Sequence, residues 1–345
     1  MKNLKWIILS LIIIFIFFGV IIFYWPEGRR SGPSQLITIK PQTSTWEIAS
    51  LLSRKGIIKN KVSFFLLAKI KGGNLQAGEY KLQPSMKREE LLNKIISGEV
   101  FAWKVTIPEG YTASQIAELL EEKELCSAEK FISQVLNPTF KRDTYRYIPR
   151  EGSLEGFLFP DTYYIPKGKG EEAIIKMMLS CFEEVVPSDL KEKAEKLGLS
   201  VQELITLASL IEKEAKDDLE RALIGGVLLN RLNIGMRLQC DATVQYALPQ
   251  RKSRLTYSDL KIESPYNTYL HPGLPPGPIA NPGLPSIEEA ASPAKTNCFF
   301  YVAKPDGTHI FTETYQEHLQ AIEEVQRERE KLRGQQSTAK GCGCN

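Results

Sequence analysis

Residues 200–214 read SVQELITLASLIEKE, and this stretch predicts the helix around which the C-terminal part of the chain folds. Ser200 followed by Glu203 forms a capping box, in which each side chain bonds to the backbone of the other, so a helix should begin there. Apolar residues then recur at helical spacing and predict one buried stripe. Its members are Leu204, Leu207, Ala208 and Ile211.

The last turn of this helix carries two glutamates. Glu212 and Glu214 fall on the two flanks of the apolar stripe, whereas Lys213 points away from it. Spacing alone does not choose between them, and a glutamate at a helix end is most often simply a solvated charge.

The chain after this helix is rich in polar and turn-forming residues. A second helix is predicted over Glu220–Leu232, with Gly225-Gly226 permitting close packing, and GMRLQCDATVQYAL (235–248) then places several polar side chains close together. In SPYNTYLHPGLPPGPIANPG (264–283), prolines fix φ and glycines permit tight turns, which predicts a stiff loop. Its Tyr266–Tyr269 segment suits sugar binding, because rings stack on pyranose faces and amides bond to hydroxyls. A connecting loop whose aromatic rings merely pack explains the same residues.

The N-terminus carries a long apolar run. Trp6–Trp25 reads WIILSLIIIFIFFGVIIFYW without a charge, and about 20 such residues span a bilayer core. Aromatic residues at both ends resemble interfacial belts, and Lys2 and Lys5 before the run favour a cytoplasmic N-terminus. We therefore predict a single-pass plasma-membrane protein (1–25) whose remaining chain lies outside the cytoplasm.

Composition shifts divide the rest of the chain. Residues 26–35 are a polar linker, 36–150 form small α+β modules, 151–333 form the larger domain and 334–345 form a disordered tail. Within the modules, the segments starting at Thr38 and Thr106 repeat one strand–turn–helix pattern, and Gly78–Leu82 is strand-like. In the larger domain we expect β-structure around 236–240 and 298–312, the latter with a hairpin turn at Asp306-Gly307.

Several function classes are excluded by composition. The net charge of +3 is spread along the chain without a basic stripe, so nucleic acid is a poor partner. The six cysteines are scattered and there are only three histidines, so no zinc site of usual spacing can be written, and we predict neither metal nor cofactor.

The string from Leu207 to Leu248, followed by SPYNTY and GLPPGPIANPG, resembles the endolytic murein transglycosylase family (MltG/YceG-like), as does LEGFLFPDTY at 154–163. The resemblance covers about residues 1–333. It implies an α+β fold with an N-terminal transmembrane helix, small LysM-like α+β modules and a mixed α+β catalytic domain. It also implies an enzyme that cuts peptidoglycan glycan strands between MurNAc and GlcNAc, leaving a 1,6-anhydro end, near the wall-synthesis machinery and penicillin-binding proteins.

The resemblance assigns the catalytic role to the second glutamate of IEKE, Glu214, as acid and then base. Two further sets of candidates come from the resemblance together with the polar segments described above. The substrate-binding set is Gln239, Asp241, Thr243, Tyr246, Asn267, Thr268 and Tyr269. The residues expected to lie around the catalytic carboxyl of Glu214, without contacting substrate, are Glu155, Glu212 and Arg231. Family members often have Thr or Ser where this chain has Cys240, so a hydroxyl hydrogen bond at that position is in doubt.

Two other functions fit the same residues. One is a peptidoglycan hydrolase that pairs Glu214 with Asp241 or another carboxylate to deliver water. The other is a wall-binding scaffold without catalysis. The chemical form of the released glycan ends distinguishes the transglycosylase from the hydrolase, and the absence of release identifies the scaffold.

Overall fold

The computed structural model describes Trp6 and residues 31–341, with side chains through Leu332. Apart from Trp6, the predicted span Trp6–Trp25 lies outside these residues. None of the helices within the described part of the chain combines the length and apolarity needed to cross a membrane.

The described residues form the predicted α+β fold, with twelve α-helices and three two-stranded sheets. The strands are β1 (Gln35–Ile39), β2 (Gly78–Leu82), β3 (Ala102–Thr106), β4 (Thr162–Pro166), β5 (Phe300–Ala303) and β6 (His309–Thr312). The helices are α1 (Thr45–Arg54), α2 (Lys61–Lys71), α3 (Arg88–Ile96), α4 (Ala113–Glu122), α5 (Ala128–Leu136), α6 (Glu171–Val185), α7 (Leu190–Lys196), α8 (Val201–Glu214), α9 (Arg221–Asn233), α10 (Asp241–Ala247), α11 (Leu284–Ala291) and α12 (Tyr315–Gly341).

The chain divides into two compact units. The smaller comprises residues through Lys104 together with Tyr164–Lys169, and the larger comprises Val105–Tyr163 with the chain from Gly170 onward. This division differs from the expected boundary at 150. The physical reason is packing, since α4 contacts α5 and α5 contacts α6, which joins this part of the chain to the larger unit.

In the smaller unit, β1 and β2 pair antiparallel, with Gln35 opposite Leu82 and Ile39 opposite Gly78. Helices α1 and α2 connect the two strands, and α3 follows them. Alternate strand residues enter a core shared with the three helices, which agrees with the period of two of a half-buried strand. The predicted strand Gly78–Leu82 is confirmed at both ends.

The internal repeat is confirmed at its two helix starts. Ser44 caps α1 and Thr112 caps α4, each through a capping box with the residue three positions later. The two helices nevertheless belong to different units. A shared local pattern therefore specified the same local structure in two different surroundings.

The larger unit is built around α8, which packs against α7, α9, α10 and α11. Gly225 and Gly226 of α9 allow the close approach that their sequence predicted: a Cβ on Gly226 would collide with the carbonyl oxygen of Ala294. The Ala294 N–H in turn donates to Ala222 O at 3.0 Å.

The predicted hairpin at 298–312 is confirmed as β5 and β6, which α12 covers. Asp306 Oδ1 accepts from the Thr308 N–H at 2.9 Å, and Gly307 has a φ of 95°, a value that glycine adopts without strain.

The β-structure expected at 236–240 is wrong. Gln239 has a φ of 52°, in the left-handed region, and this ends any extended run. Its N–H donates to Thr268 O at 3.2 Å, and α10 begins two residues later. At the C-terminus, α12 continues through Gly341, beyond the expected start of a disordered tail at 334.

Candidate active site

Helix α8 begins and packs as its sequence predicts. Ser200 Oγ accepts from the Glu203 N–H at 3.2 Å, while the Glu203 carboxylate accepts from the Ser200 N–H at 2.8 Å. All four residues of the predicted apolar stripe are fully buried. The helix ends at Glu214, so both glutamates occupy its last turn.

Glu212 lies in a closed polar cluster with three partners. Its Oε2 lies 3.2 Å from Arg221 Nη1 and accepts from Ser286 Oγ at 2.7 Å and from the Gly283 N–H at 3.2 Å. The side chains of Glu212 and Arg221 are less than a tenth exposed. This arrangement joins the end of α8 to α9 and to the start of α11, because three donors converge on one oxygen of the Glu212 carboxylate.

Glu214 has a different environment. Burial raises its pKa to about 7, and the negative charge of Asp241 acts in the same direction. Hydrogen bonds from the Tyr301 hydroxyl and the Ala242 N–H, together with the charge of Arg231, oppose this rise. The carboxyl can therefore hold a proton near neutral pH and can also exist as a stabilised carboxylate.

Asp241 lies at the start of α10, close enough to Glu214 for its negative charge to raise the pKa of Glu214. Its side chain is exposed, and its Oδ1 accepts a 2.6 Å hydrogen bond from the Tyr269 hydroxyl. The charges of Asp241 and Glu214 both raise the pKa of Tyr269, after the larger effect of burial. The structure therefore brings together the predicted residues Glu214, Asp241 and Tyr269.

Arg231 connects two segments that lie beside this group. Its Nη1 and Nε each donate at 2.6 Å, to Leu238 O and Phe299 O respectively. The guanidinium also lies over the rings of Phe300 and Tyr301, at 5.5 and 6.0 Å from their centres. Arg231 thus joins the segment before α10 to β5, in keeping with a supporting position.

Three predicted substrate-binding residues are buried, and their side chains hydrogen-bond to other parts of the protein. Asn267 Nδ2 donates to Leu260 O and Ile262 O, and its Oδ1 accepts from the Tyr269 N–H. Thr268 Oγ1 accepts from the Cys240 N–H and lies 2.9 Å from Thr243 Oγ1. These residues fix the shape of the turn that carries Tyr269.

The remaining predicted binding residues are open to solvent to different degrees. Gln239 is exposed and Tyr246 is half-buried. The ring of Tyr246 packs against that of Tyr266 with centres 4.9 Å apart, and its hydroxyl donates to Glu155 Oε2 at 3.3 Å.

Glu155 is a second buried carboxyl with a raised pKa, also about 7 because of burial. It accepts from the Ala113 N–H at 3.0 Å and from Asn281 Nδ2 at 2.9 Å, in addition to Tyr246. Asn281 Oδ1 accepts from the Gly156 and Leu158 N–H groups. The network joins LEGFLFPDTY, the start of α4 and the proline-rich loop, and it reaches Tyr246 on α10.

Cys240 is buried, and its thiol has a pKa well above the ordinary value, first because of burial and then because of the charge of Glu214. The thiol donates a hydrogen bond to Leu238 O at 3.7 Å. Within the described residues, no group of three or more His, Cys, Asp or Glu side chains could hold a metal ion.

Sequence reasoning missed three residues that define these environments: Tyr301, Asn281 and Arg221. Tyr301 lies in the strand of the predicted hairpin, and only the fold brings its hydroxyl to Glu214. Asn281 stands in the quoted motif GPIANPG, where a polar residue among apolar ones was an available signal. Arg221 carried no signal of its own.

Comparison with known proteins gives one consistent family. Residues 37–324 match the model of the YceG-like family. An endolytic murein transglycosylase of Bacillus subtilis (strain 168) is 36% identical over 312 residues, covering 86% of each chain. One from Streptococcus pneumoniae (strain D39) is 33% identical over 332 residues, covering 87% of this chain and 60% of that one. The crystal structure of a yceG-like protein from Listeria monocytogenes aligns with a TM-score of 0.57 at 34% identity, covering 84% of this chain and 99% of that chain.

Proposed function

The chain belongs to the YceG-like family, and we propose on that premise that it is an endolytic peptidoglycan lytic transglycosylase with Glu214 as its catalytic acid and base. The observation that carries the assignment of Glu214 is its place at the end of α8, half-buried beside the exposed carboxylate of Asp241, where burial raises its pKa to about 7. A general acid works best when its pKa lies near the working pH, because it is then protonated often and still releases its proton readily.

In the first step, Glu214 donates its proton to the oxygen of the β-1,4 bond between MurNAc and GlcNAc. The bond from that oxygen to the anomeric carbon of MurNAc breaks, and positive charge develops on the sugar ring. The GlcNAc hydroxyl leaves with the proton. Glu214 is now a carboxylate, a form that the bonds from Tyr301 and the Ala242 N–H favour.

In the second step, the C6 hydroxyl of the same MurNAc attacks the anomeric carbon. Its proton passes to the Glu214 carboxylate, which restores the acid, and a 1,6-anhydro ring closes. The nucleophile is part of the substrate, so proximity replaces the positioning of a water molecule and one carboxyl suffices.

Some of the groups around Glu214 favour its protonated form, and others favour its carboxylate form. Burial and the charge of Asp241 favour the acid, whereas Tyr301, the Ala242 N–H and Arg231 favour the carboxylate. Because these influences oppose each other, the free-energy difference between the two states stays small near pH 7. A group that must first give and then take a proton benefits from that balance.

The second candidate function is a two-carboxylate hydrolase. Asp241 favours it, because this exposed carboxylate lies close enough to Glu214 to raise its pKa. In that mechanism Asp241 activates a water molecule or stabilises the charged ring, and the product is a reducing end.

The deciding experiment digests purified peptidoglycan with the full-length protein in water enriched in oxygen-18, and analyses the glycan ends by mass spectrometry. The transglycosylase yields anhydro ends that contain no solvent oxygen, whereas the hydrolase yields reducing ends that carry the label. Glu214→Gln should release neither. Binding without release by the wild-type protein would support the scaffold instead.

The finer assignments rest on the sequence and on the family. We propose that the smaller unit is a LysM-like module that binds glycan, since it is a compact strand–helix–helix–strand unit that precedes the larger unit. We propose further that Trp6–Trp25 anchors the protein in the plasma membrane, with the enzyme on the outer side.

A further inference from the structure

Helix α2 is apolar on two opposite faces, and only one of them is covered. The covered face enters the core of the smaller unit through Phe64, Leu67 and Ala68. The opposite face carries apolar residues four positions apart that remain open to solvent. They are Val62, Leu66 and Ile70, which are 42%, 43% and 73% exposed. A helix that is apolar all round is normally buried, so an uncovered apolar face indicates a contact surface.

Aromatic and basic side chains extend this face. Trp46 of α1 is 43% exposed and packs edge-on against Phe65 of α2, with ring centres 5.4 Å apart. Lys61 Nζ lies 4.9 Å from the centre of the Trp46 ring, and Lys69 Nζ lies 5.8 Å from that of Phe65. Both ammonium groups therefore lie over aromatic rings in cation–π contacts, which places positive charge directly at this face.

The segment that contains α2 carries charge of one sign. Between Arg54 and Lys71 the chain carries six basic residues and no acidic one. The basic residues are Arg54, Lys55, Lys59, Lys61, Lys69 and Lys71. By contrast, the whole chain is nearly balanced, with a net charge of only +3. The concentration of positive charge is therefore a local property of α2 and the turn before it.

We propose that this surface, the α2 face (Trp46, Val62, Phe65, Leu66 and Ile70, bordered by Lys61 and Lys69), binds the surface of an anionic lipid bilayer. A helix with an apolar stripe, aromatic residues and lysines lies in the plane of such an interface. The apolar residues enter the boundary between headgroups and acyl chains, and the lysines contact the anionic headgroups.

The position of α2 in the chain supports this partner over an acidic protein. The smaller unit follows the predicted span Trp6–Trp25 after a ten-residue linker, so it is tethered next to the bilayer if the span inserts. Tethering makes the second contact intramolecular and so raises the effective concentration of the bilayer at this surface. The α2 face would then set the orientation of the smaller unit relative to the membrane, whichever reaction the larger unit performs.

The test uses the full-length protein in vesicles whose lipids carry bromine atoms high on the acyl chains, which quench nearby tryptophan. The contribution of Trp46 is obtained by difference from Trp46→Phe. In vesicles rich in phosphatidylglycerol, we expect most of the Trp46 emission to be lost. It should be retained in pure phosphatidylcholine, and high salt should restore part of it.

Two variants test the two components of the surface. Leu66→Glu/Ile70→Glu alters only exposed side chains and should abolish the quenching, whereas Lys61→Gln/Lys69→Gln should weaken it. The matched control is Leu136→Glu in the larger unit, a residue that is also 50% exposed, which should leave the quenching unchanged. Equal Trp46 emission in brominated and ordinary anionic vesicles would overturn the proposal. So would quenching that survives in Leu66→Glu/Ile70→Glu, or protection of α2 by glycan strands or an acidic protein without any quenching by lipid.

Discussion

Arg221 Nη1 lies 3.2 Å from Glu212 Oε2, and this buried ion pair gives Glu212 an environment that Glu214, two residues later, does not share. Ser286 and the Gly283 N–H complete the partners of Glu212. Glu214 instead lies beside Asp241 and Tyr301, and its pKa is raised to about 7. The predictions below follow from this contrast.

Glu214→Gln should abolish glycan cleavage. The glutamine amide can fill the same space but can neither give nor take the proton, so we expect a loss of about 10²–10⁴-fold in kcat. The measurement is the rate of release of soluble glycan from purified peptidoglycan. Retained binding to peptidoglycan serves as the control for folding, and activity close to wild type would remove Glu214 from the catalytic role.

Glu212→Ala should instead act on stability. The substitution removes the buried partner of Arg221 and leaves it only the exposed carboxylate of Asp218, so the free energy of unfolding should fall by up to the about 3–5 kcal/mol that a broken buried pair costs. Urea unfolding measures the loss, and the fraction that remains folded should still cleave glycan. The control is Glu195→Ala, which breaks an exposed ion pair with Lys191 and should cost less than about 1 kcal/mol. If Glu212→Ala were as stable as wild type but inactive, Glu212 would be the better candidate acid.

Asp241→Asn should lower the pKa of Glu214, because the negative charge of Asp241 raises it. The alkaline limb of the pH dependence of kcat/KM, where the acid loses its proton, should move to lower pH. The products should keep their anhydro ends. A complete loss of activity at every pH, with binding intact, would favour the two-carboxylate hydrolase.

Tyr301→Phe should move the same limb in the opposite direction. The Tyr301 hydroxyl donates a hydrogen bond that favours the Glu214 carboxylate, so its removal should raise the pKa of Glu214. Tyr301→Phe keeps the ring and removes only the hydroxyl. The two variants are informative as a pair because they should shift the pKa of Glu214 in opposite directions. An alkaline limb at an unchanged pH in both variants would mean that a group other than Glu214 controls activity.

Glu214→Gln should also change how stability depends on pH. In the folded protein the pKa of Glu214 is about 7 rather than its ordinary 4.5, so folding favours the protonated form. The stabilisation from this preference is complete below about pH 4.5 and is lost as the pH rises to about 7. Relative to wild type, the variant should therefore gain stability across this window, by at most about 3 kcal/mol at about 1.4 kcal/mol per pKa unit.

Urea unfolding of both proteins at pH 4.5, 6 and 8 measures the difference. Glu155, whose pKa is raised to a similar value, is present in both proteins and cancels in the comparison. A difference that stays constant with pH would mean that the folded protein does not disfavour the Glu214 carboxylate.

Local sequence patterns predicted the elements that depend on near neighbours. The helix starts of the repeat in α1 and α4, the capping box and apolar stripe of α8, and the Asp306-Gly307 turn all involve residues a few positions apart. Their hydrogen bonds form wherever the chain places them, which is why the two copies of the repeat adopt the same local structure in different units.

The prediction failed where a distant contact decided the backbone. The segment at 236–240 contains residues that suit a strand, but the bonds from the Gln239 and Cys240 N–H groups to Thr268 hold it in a turn. The same contacts bury Thr243, predicted to bind substrate from the polar segment that contains Asp241, and Thr268, predicted to do so from the Tyr266–Tyr269 segment.

The sequence by itself determined the α+β class, the helix that ends in two glutamates and the family, because these depend on periodicity and on motifs read along the chain. The tertiary structure alone decided the environment of each glutamate. Arg221, Ser286, Tyr301 and Asp241 come from four separate segments, and the position of each relative to α8 follows from packing. A carboxyl's pKa depends on burial and on charges within a few ångströms, and folding sets both.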